Sequence, residues 1–183
     1  HALMADLRAQ GLTTIRGNLV IDDSRFAVGP AYGSAFDGDA SQAYNVRPWA
    51  ALTNFKASKL VVDPKSKQLV LDPPLADVQL RYDVKVLRGR CRGGATRVSV
   101  ADGATPAGRP RVAVNGTQVR ACGPLQFYAA MLDHQQFVHG IFKAAWKNMG
   151  GQFLGRTRIE PGAAKRARPL YAWQSSLDLG EVV

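Results

Sequence analysis

The stretch IRGNLVIDD, residues 15–23, decides the expected fold because it has a counterpart in FLGRTRIEP, residues 153–161. Both stretches read as strands with a glycine two residues in and an acidic residue near the close. Both follow a predicted helix, over 2–10 in the first unit and over 134–148 in the second, and a glycine stops each helix. Short helix–strand units cannot bury their apolar faces alone. We therefore predict that the two units lie side by side in one sheet.

The middle of the chain reads as β-structure. Residues 78–86 alternate strictly between apolar and polar side chains, which is the pattern of a strand with one buried face. Asn115-Gly116 lies between two short apolar runs, and this dipeptide is the strongest two-residue signal for a β-hairpin. Proline and glycine punctuate the block at both ends, at Pro73-Pro74 and Gly123-Pro124. We expect these strands to form a sheet of their own.

The expected fold class is α+β, with a small all-β domain inserted into an α/β-layered domain. The flanks, residues 1–74 and 124–183, would form the discontinuous α/β-layered domain from the two helix–strand units. Residues 75–123 would form the inserted β-rich domain. At 183 residues the chain is long enough to bury a core of its own.

The chain is strongly basic, with a formal net charge of +10. Such a charge suggests an anionic partner, which could be nucleic acid, lipid headgroups or a cell-wall polymer. Arginines are densest over residues 88–97, but no aromatic side chain is interleaved with them for base stacking, so we expect no nucleic-acid partner. No apolar run approaches the roughly 20 residues of a membrane-spanning helix, so we expect no transmembrane segment.

Cys91 and Cys122 are the only cysteines in the sequence, and two arrangements are open to them. They could be two buried thiols or one disulfide. Each flanks a predicted β-segment, at 96–101 and at 111–120, so folding the strands between them would bring the two cysteines together. We favour the disulfide, which would imply an oxidising compartment.

Ser24 follows the first predicted strand and is a candidate nucleophile, but we predict a structural role for it. It lacks the glycines of a Gly-x-Ser-x-Gly nucleophile elbow, and the carboxylates of Asp22 and Asp23 beside it would not activate its hydroxyl. We expect Asp22 or Asp23 to cap a turn through its side chain while Phe26 packs inward.

The sequence offers no metal or cofactor site. His134 and His139 are five residues apart, so on one helix they face different sides and cannot act as a zinc-binding pair. We expect them at the surface or at its boundary. No second cysteine or histidine lies near either cysteine to complete a zinc site, and no glycine pair belongs to a phosphate-binding loop.

Several stretches together resemble the class C low-molecular-mass penicillin-binding proteins, the DacB-like serine D-Ala-D-Ala carboxypeptidases and endopeptidases. The most specific is the corner GNLVIDDSRF, residues 17–26, in which Gly17, Asp22, Asp23, Ser24 and Phe26 form a structural landmark of the family. The other matching stretches are RPWAALTNFKASKLVVDP, the paired cysteines, GGQFLGRTRIEPGA and the terminal SLDLGEVV. The resemblance covers nearly the whole chain and keeps the family's order of motifs.

The resemblance implies a transpeptidase-like catalytic domain that is split in sequence by a large insertion, itself one domain interrupted by another. A Ser-x-x-Lys, a Ser-x-Asn and a Lys-Thr-Gly carry the chemistry of this family, and the sequence contains none of them. The residues found three positions after a serine are Ala27, Asp37, Tyr44, Val61, Leu69, Asp102, Asp178 and Leu179. The acylated serine is expected to precede His1, and the other two motifs to follow Val183.

We therefore expect the chain to be the noncatalytic insertion region of a wall-editing serine peptidase. The intact protein would cleave D-Ala-D-Ala termini or peptide cross-links of peptidoglycan, without a cofactor. The partners implied are the catalytic domain of the same polypeptide and, further, peptidoglycan; the location implied is the periplasm or another extracytoplasmic compartment of a bacterium. The alternative is an independent basic module that binds an anionic polymer, either a cell-wall polymer or a nucleic acid. A Ser-x-x-Lys upstream in the full gene would distinguish the two.

Overall fold

The computed structural model describes residues 2–26, 37–94, 96–168 and 172. The helices of these residues are α1 (Ala2–Ala9) and α2 (His134–Asn148), and neither is long and apolar enough to cross a bilayer. The strands, in chain order, are β1 (Thr14–Ile15), β2 (Leu19–Ile21), β3 (Ala57–Asp63), β4 (Gln68–Asp72), β5 (Gln79–Leu87), β6 (Arg97–Ala104), β7 (Pro110–Val119), β8 (Leu125–Ala130), β9 (Gln152–Phe153) and β10 (Thr157–Ile159). The architecture is mixed α and β, with few helices and several small sheets.

Segments from the two ends of the chain meet in parallel strand pairs. β1 pairs with β9, and β2 pairs with β10. The register sets Ile15 opposite Phe153 and Ile21 opposite Ile159, which is the alignment that the repeated sequences predict. The two segments lie side by side, but in two separate two-stranded sheets rather than in the single sheet that we predicted.

A glycine breaks each of these predicted strands into two short ones. The strands expected over 15–21 and 152–159 are interrupted where Gly155 passes the backbone of Gly17. Next to this close approach, the Arg156 N–H donates a hydrogen bond to Asn18 Oδ1 at 3.0 Å. A side-chain amide thus takes over one of the hydrogen bonds that a continuous ladder would have made.

The middle of the chain forms two three-stranded sheets. One has the order β4-β3-β8 and is antiparallel throughout. The other has the order β5-β7-β6, in which β5 and β7 are parallel while β6 and β7 are antiparallel. The strand predicted over 78–86 is β5, and it lies in a different sheet from β1 and β2, as predicted.

The hairpin predicted at Asn115-Gly116 is wrong, because both residues lie inside β7. The chain reverses instead over 105–109, where the Thr105 N–H donates to the Arg109 carbonyl at 2.8 Å. Gly116 has a φ of 123°, and a Cβ at this position would lie 2.1 Å from the Arg97 carbonyl oxygen on β6. The glycine therefore marks a close approach of two strands rather than a turn.

One hydrophobic core fills the space between the two middle sheets. Leu60 and Leu71 of the first sheet are buried in the same cluster as Val84, Val112 and Val114 of the second. This core crosses the expected boundaries at 75 and 123, since β3, β4 and β8 lie outside that range. Strands on both sides of each boundary thus depend on the same buried surface.

Helix α2 begins with a capping box and holds the segment that leads into β5. The Asp133 carboxylate accepts a hydrogen bond from the Gln136 N–H at 2.7 Å, and the Gln136 side chain accepts one from the Asp133 N–H. Further along the helix, the Ala76 N–H donates to the Gly140 carbonyl at 3.0 Å. A Cβ on Gly140 would lie 3.0 Å from the Leu75 Cβ, so glycine lets this segment rest against the helix backbone.

Cys91 and Cys122 form a disulfide, with their Cα atoms 4.9 Å apart. The bond joins the loop after β5 to the turn after β7, and it is the arrangement favoured from the sequence. Nearby, the fully buried Gln118 donates through Nε2 to the carbonyls of Val62 at 3.1 Å and Gly123 at 3.0 Å. The side chain therefore links the two middle sheets near the disulfide.

Candidate functional site

Asp22 holds the corner that follows β2. Its Oδ1 accepts hydrogen bonds from the N–H groups of Ser24 at 3.0 Å and Gly162 at 2.9 Å, and its Oδ2 accepts one from Ala164 at 2.9 Å. The Ser24 side chain and these N–H groups stabilise the carboxylate and hold the pKa of Asp22 well below its ordinary value. Asp22 thereby fastens the first corner to the loop after β10.

Ser24 and Phe26 complete this corner. The Ser24 side chain also favours the charged form of the Asp22 carboxylate, whose pKa it lowers. The Phe26 N–H donates to the Asp23 carbonyl at 2.9 Å and closes the turn. The inward packing expected of Phe26 is wrong, because its side chain is 45% exposed while Ile21 and Trp49 fill the small core beneath the corner.

Asp23 contacts Trp49, which packs in turn against His134. Its Oδ2 accepts a long hydrogen bond of 3.4 Å from Nε1 of the buried Trp49, whose ring meets the His134 ring edge-on at 5.2 Å between centroids. His134 Nε2 lies 3.0 Å from the Arg47 carbonyl. Burial lowers the pKa of His134, against the effect of that carbonyl, so the imidazole is neutral and structural near pH 7.

A groove of about 600 Å³ opens between α2 and the segment that leads into β5. The 105–109 turn and the β9–β10 corner form its other walls. Its titratable and hydroxyl side chains are Asp77, Arg109, His139, Lys143, Arg156 and Thr157. The groove is the place where charged groups from distant parts of the sequence converge.

Asp77 is the centre of the charged groups in this groove. Its Oδ2 lies 3.1 Å from His139 Nε2 and accepts a hydrogen bond of 2.6 Å from Lys143 Nζ. Partial desolvation raises the pKa of Asp77, but its bonds to Lys143 and His139 outweigh that effect and its pKa lies below the ordinary value. Asp77 therefore fixes the start of β5 to α2 as a carboxylate.

The same groups form a hydroxyl–imidazole–carboxylate series, since His139 Nδ1 lies 3.1 Å from Thr157 Oγ1. A hydrolase would need the hydroxyl within reach of a substrate. Thr157 is only 5% exposed, and its carbonyl accepts a further bond from Gln135 at 2.9 Å. The carboxylate end of the series is shared with Lys143. We conclude that the series holds α2, β10 and β5 together.

Lys56 lies in the segment with the most unusual backbone of the described residues. Asn54, Phe55 and Lys56 follow one another with φ values of 50°, 49° and 52°, in the left-handed region that side chains disfavour. The Lys56 ammonium donates to the Leu132 carbonyl at 2.5 Å. Burial lowers the pKa of Lys56, and the nearby carboxylate of Asp102 offsets part of this effect. The lysine thus ties the entry of β3 to the chain after β8.

The sequence identifies the corner residues but misses the groove. Asp22, Asp23 and Ser24 lie together as a structural corner, whereas Asp77 and His139 are 62 positions apart. A glycine in the interior of a predicted helix costs about 1 kcal/mol relative to alanine, so Gly140 was the available signal of a close contact on α2. Within the described ranges, no cluster of three or more His, Cys, Asp or Glu side chains could hold a metal ion.

The chain is similar to one protein family and to solved structures of known proteins. The profile of the D-Ala-D-Ala carboxypeptidase 3 (S13) family matches residues 1–182. No curated protein sequence matches the chain. The crystal structure of penicillin binding protein 4 (dacB) from Haemophilus influenzae is similar with a TM-score of 0.58 at 19% identity, over 87% of this chain and 36% of that chain. The structure of that protein complexed with a novel beta-lactam gives a TM-score of 0.49 at 16% identity, over 87% of this chain and 33% of that chain.

The chain thus spans about a third of the length of the solved structures that it matches. The likeness at a TM-score of 0.58 shows a shared fold, and the family profile covers almost every residue. From this coverage it follows that the chain belongs to the D-Ala-D-Ala carboxypeptidase 3 family.

Proposed function

We propose that this chain is the noncatalytic insertion region of a bacterial penicillin-binding D-Ala-D-Ala carboxypeptidase or endopeptidase that acts in peptidoglycan remodelling. One observation carries the proposal: the family profile spans residues 1–182, yet the sequence has no Ser-x-x-Lys, Ser-x-Asn or Lys-Thr-Gly. A serine peptidase of this type needs an activated nucleophile, and those motifs supply it. The family similarity of this chain therefore rests on residues that fold rather than on residues that react.

The geometry at the candidate hydroxyls supports an inactive chain. The carboxylate beside Ser24 is Asp22, and its lowered pKa makes it a poor base for the hydroxyl proton. The Thr157 hydroxyl is buried against His139. Neither hydroxyl combines exposure with a free base, which nucleophilic catalysis requires.

The proposed partner is the catalytic domain of the same polypeptide. An insertion must leave its host domain and return to it at nearly the same place. The parallel pairing of β1 with β9 and of β2 with β10 supports this arrangement, because it brings together segments near both ends of the chain. Peptidoglycan is the further partner that the activity of such a protein implies.

We also propose a nested organisation in which a β-unit interrupts the unit built from the two ends. The shared core supports an interrupting unit that runs over residues 57–132 and includes both middle sheets. The narrower range of 75–123 would leave β3, β4 and β8 without the surface they bury. Residues 2–26, 37–56 and 133–168 would then make up the described part of the outer unit, since Trp49 packs with Ile21 and Val138 in its small core.

The proposed location is the periplasm or another extracytoplasmic compartment. The Cys91–Cys122 disulfide supports it, because disulfides persist in oxidising compartments and are rare in the cytosol. Both cysteines are at least partly exposed, so a reducing compartment would have access to the bond.

The test is to express the complete reading frame that contains this chain, and the 183-residue chain alone, and to measure D-alanine release from a D-Ala-D-Ala peptide. We expect the longer protein to release D-alanine and to carry a Ser-x-x-Lys outside this chain. We expect no release by the chain alone. Release by the chain alone, or a reading frame without the motif, would contradict the proposal.

A further inference from the structure

The groove between α2 and the segment leading into β5 carries more positive charge than its own carboxylate neutralises. Its lysine and arginine residues are Arg109, Lys143 and Arg156, and Asp77 is the only acidic side chain among the described residues that line it. Asp77 is already paired with Lys143 and His139. In the part of the chain that the structure describes, the guanidinium groups of Arg109 and Arg156 pair with no carboxylate. Two exposed positive charges therefore face the groove without a counter-ion from the fold.

The backbone that carries each of these arginines is fixed by a side chain. The Arg109 N–H donates to Thr105 Oγ1 at 3.0 Å, within the tight turn between β6 and β7. The Arg156 N–H donates to Asn18 Oδ1 at 3.0 Å, in the corner between β9 and β10. Each arginine thus starts from a hydrogen-bonded backbone position at the rim of the groove.

The rest of the lining selects the kind of anion. Guanidinium groups bind carboxylates and phosphates in the same two-pronged geometry. The groove also presents apolar surface from Val78, Pro110 and Leu154, and Leu154 is 61% exposed. Asp77 would repel a chain of closely spaced phosphates. These features favour a ligand with separated negative charges and apolar groups between them.

The groove offers an acceptor for peptide N–H groups as well. Lys143 and His139 both contact Oδ2 of Asp77, so neither of these bonds occupies Oδ1. We propose that the groove binds an acidic peptide segment, with one carboxylate on Arg109, one on Arg156 and a backbone N–H on Asp77. This binding is separate from the proposed function, because it requires neither catalysis nor a second domain.

The experiment is a fluorescence-anisotropy titration of the 183-residue chain with a labelled tetrapeptide that carries glutamate at both ends and leucine and alanine between them. We expect Arg109→Gln and Arg156→Gln each to weaken binding about tenfold, because each removes one charge-assisted hydrogen-bonded pair. The same peptide with glutamine in place of glutamate should bind at least tenfold more weakly, and added salt should weaken binding of the acidic peptide.

Arg88→Gln is the matched control, because it makes the same charge change on an exposed residue after the far end of β5. It should leave the affinity within twofold. Equal losses of affinity in all three variants would show that net charge alone attracts the peptide, and would overturn the proposal. Absence of binding by the unaltered chain at a peptide concentration of about 1 mM would also overturn it, because specific complexes are rarely weaker than that. Tighter binding of a short thymidine oligonucleotide through Arg109 and Arg156 would overturn the assignment to a peptide.

Discussion

Gly155 lies against the backbone of Gly17, so close that a Cβ on Gly155 would be 1.8 Å from the Gly17 carbonyl oxygen. The contact is not symmetrical, because a Cβ on Gly17 would meet no atom within 4 Å. Two glycines that occupy equivalent positions in the repeated sequences thus have different steric requirements. Only Gly155 must be a glycine for the two segments to approach each other this closely.

The first prediction follows from this asymmetry. Gly155→Ala should destabilise the chain by about 3 kcal/mol, because the obstructing atom belongs to the backbone and cannot rotate away. Gly17→Ala should change the free energy of unfolding by less than about 0.5 kcal/mol. Urea denaturation of both variants measures the difference. Equal effects of the two substitutions would show that Gly155 does not pack against the backbone of Gly17.

The second prediction concerns the acid stability that Asp22 confers. Its pKa is lower in the folded chain than its unfolded value near 3.8, so its contribution is complete above that value and is lost as the pH falls toward the folded pKa. Asp22→Asn should lower the melting temperature at pH 6 and should flatten the dependence of the melting temperature on pH below about 4. Thermal melts between pH 6 and pH 2 provide the measurement. Parallel curves for the variant and the unaltered chain would mean that Asp22 does not bind the 162–164 loop as a carboxylate.

The third prediction concerns the bond between Cys91 and Cys122, which lie 31 positions apart. Replacing both cysteines with alanine should cost about 3.5 kcal/mol, because the unfolded chain would no longer contain a closed loop of that length. Adding a reductant to the unaltered chain should produce the same loss, and should leave the double variant unchanged. If the double variant were as stable as the oxidised chain, the disulfide would not contribute to the free energy of unfolding.

The fourth prediction separates two possible extents of the β-unit. A fragment of residues 57–132 contains both sheets around the core of Leu60, Leu71, Val84 and Val112, so it should unfold cooperatively. A fragment of residues 75–123 lacks β3, β4 and β8, and should show no cooperative melt by circular dichroism. A folded 75–123 fragment with dispersed amide resonances would restore the narrower boundary.

The pairing of the end segments could be predicted because the sequence repeats its landmarks at one spacing. A glycine and an acidic residue recur after equal intervals, and β1–β9 and β2–β10 keep that alignment as their register. The interruption of the strands could not be predicted, because a glycine in a strand signals a close approach without naming the partner. Strand β5 was predictable from alternation, because Tyr82, Val84 and Val86 are less exposed than the polar residues between them, although Leu80 is 40% exposed.

The extent of the β-unit was harder to predict, although part of the signal is visible. Leu60, Val61 and Val62 form a short apolar run before the polar stretch 63–68, and Leu69, Val70 and Leu71 form another after it, which is typical of a hairpin such as that of β3 and β4. Pro73-Pro74 and Gly123-Pro124 resemble domain boundaries, but they mark places where the chain leaves one sheet for another across a shared core. Proline and glycine report where a strand ends, and they carry no information on where a core ends.

Of the two candidate sites, the corner could be predicted from the sequence and the groove could not. The corner of Asp22 and Ser24 is local in sequence, and its capping role follows from the hydrogen-bonding reach of a short carboxylate. The groove depends on the docking of Asp77 against His139 and Lys143, which requires α2 and β5 to be placed first. Contacts of this kind are set by packing between elements and leave no pattern within either element.

This chain belongs to the D-Ala-D-Ala carboxypeptidase 3 family, and we propose that it contributes no nucleophile. Incubation of the 183-residue chain with a labelled penicillin, followed by intact-mass spectrometry, tests it most directly, because acylation marks the reactive serine of a penicillin-binding protein covalently. We expect an unchanged mass after prolonged incubation with excess reagent. A covalent adduct at any serine, Ser24 included, would contradict it.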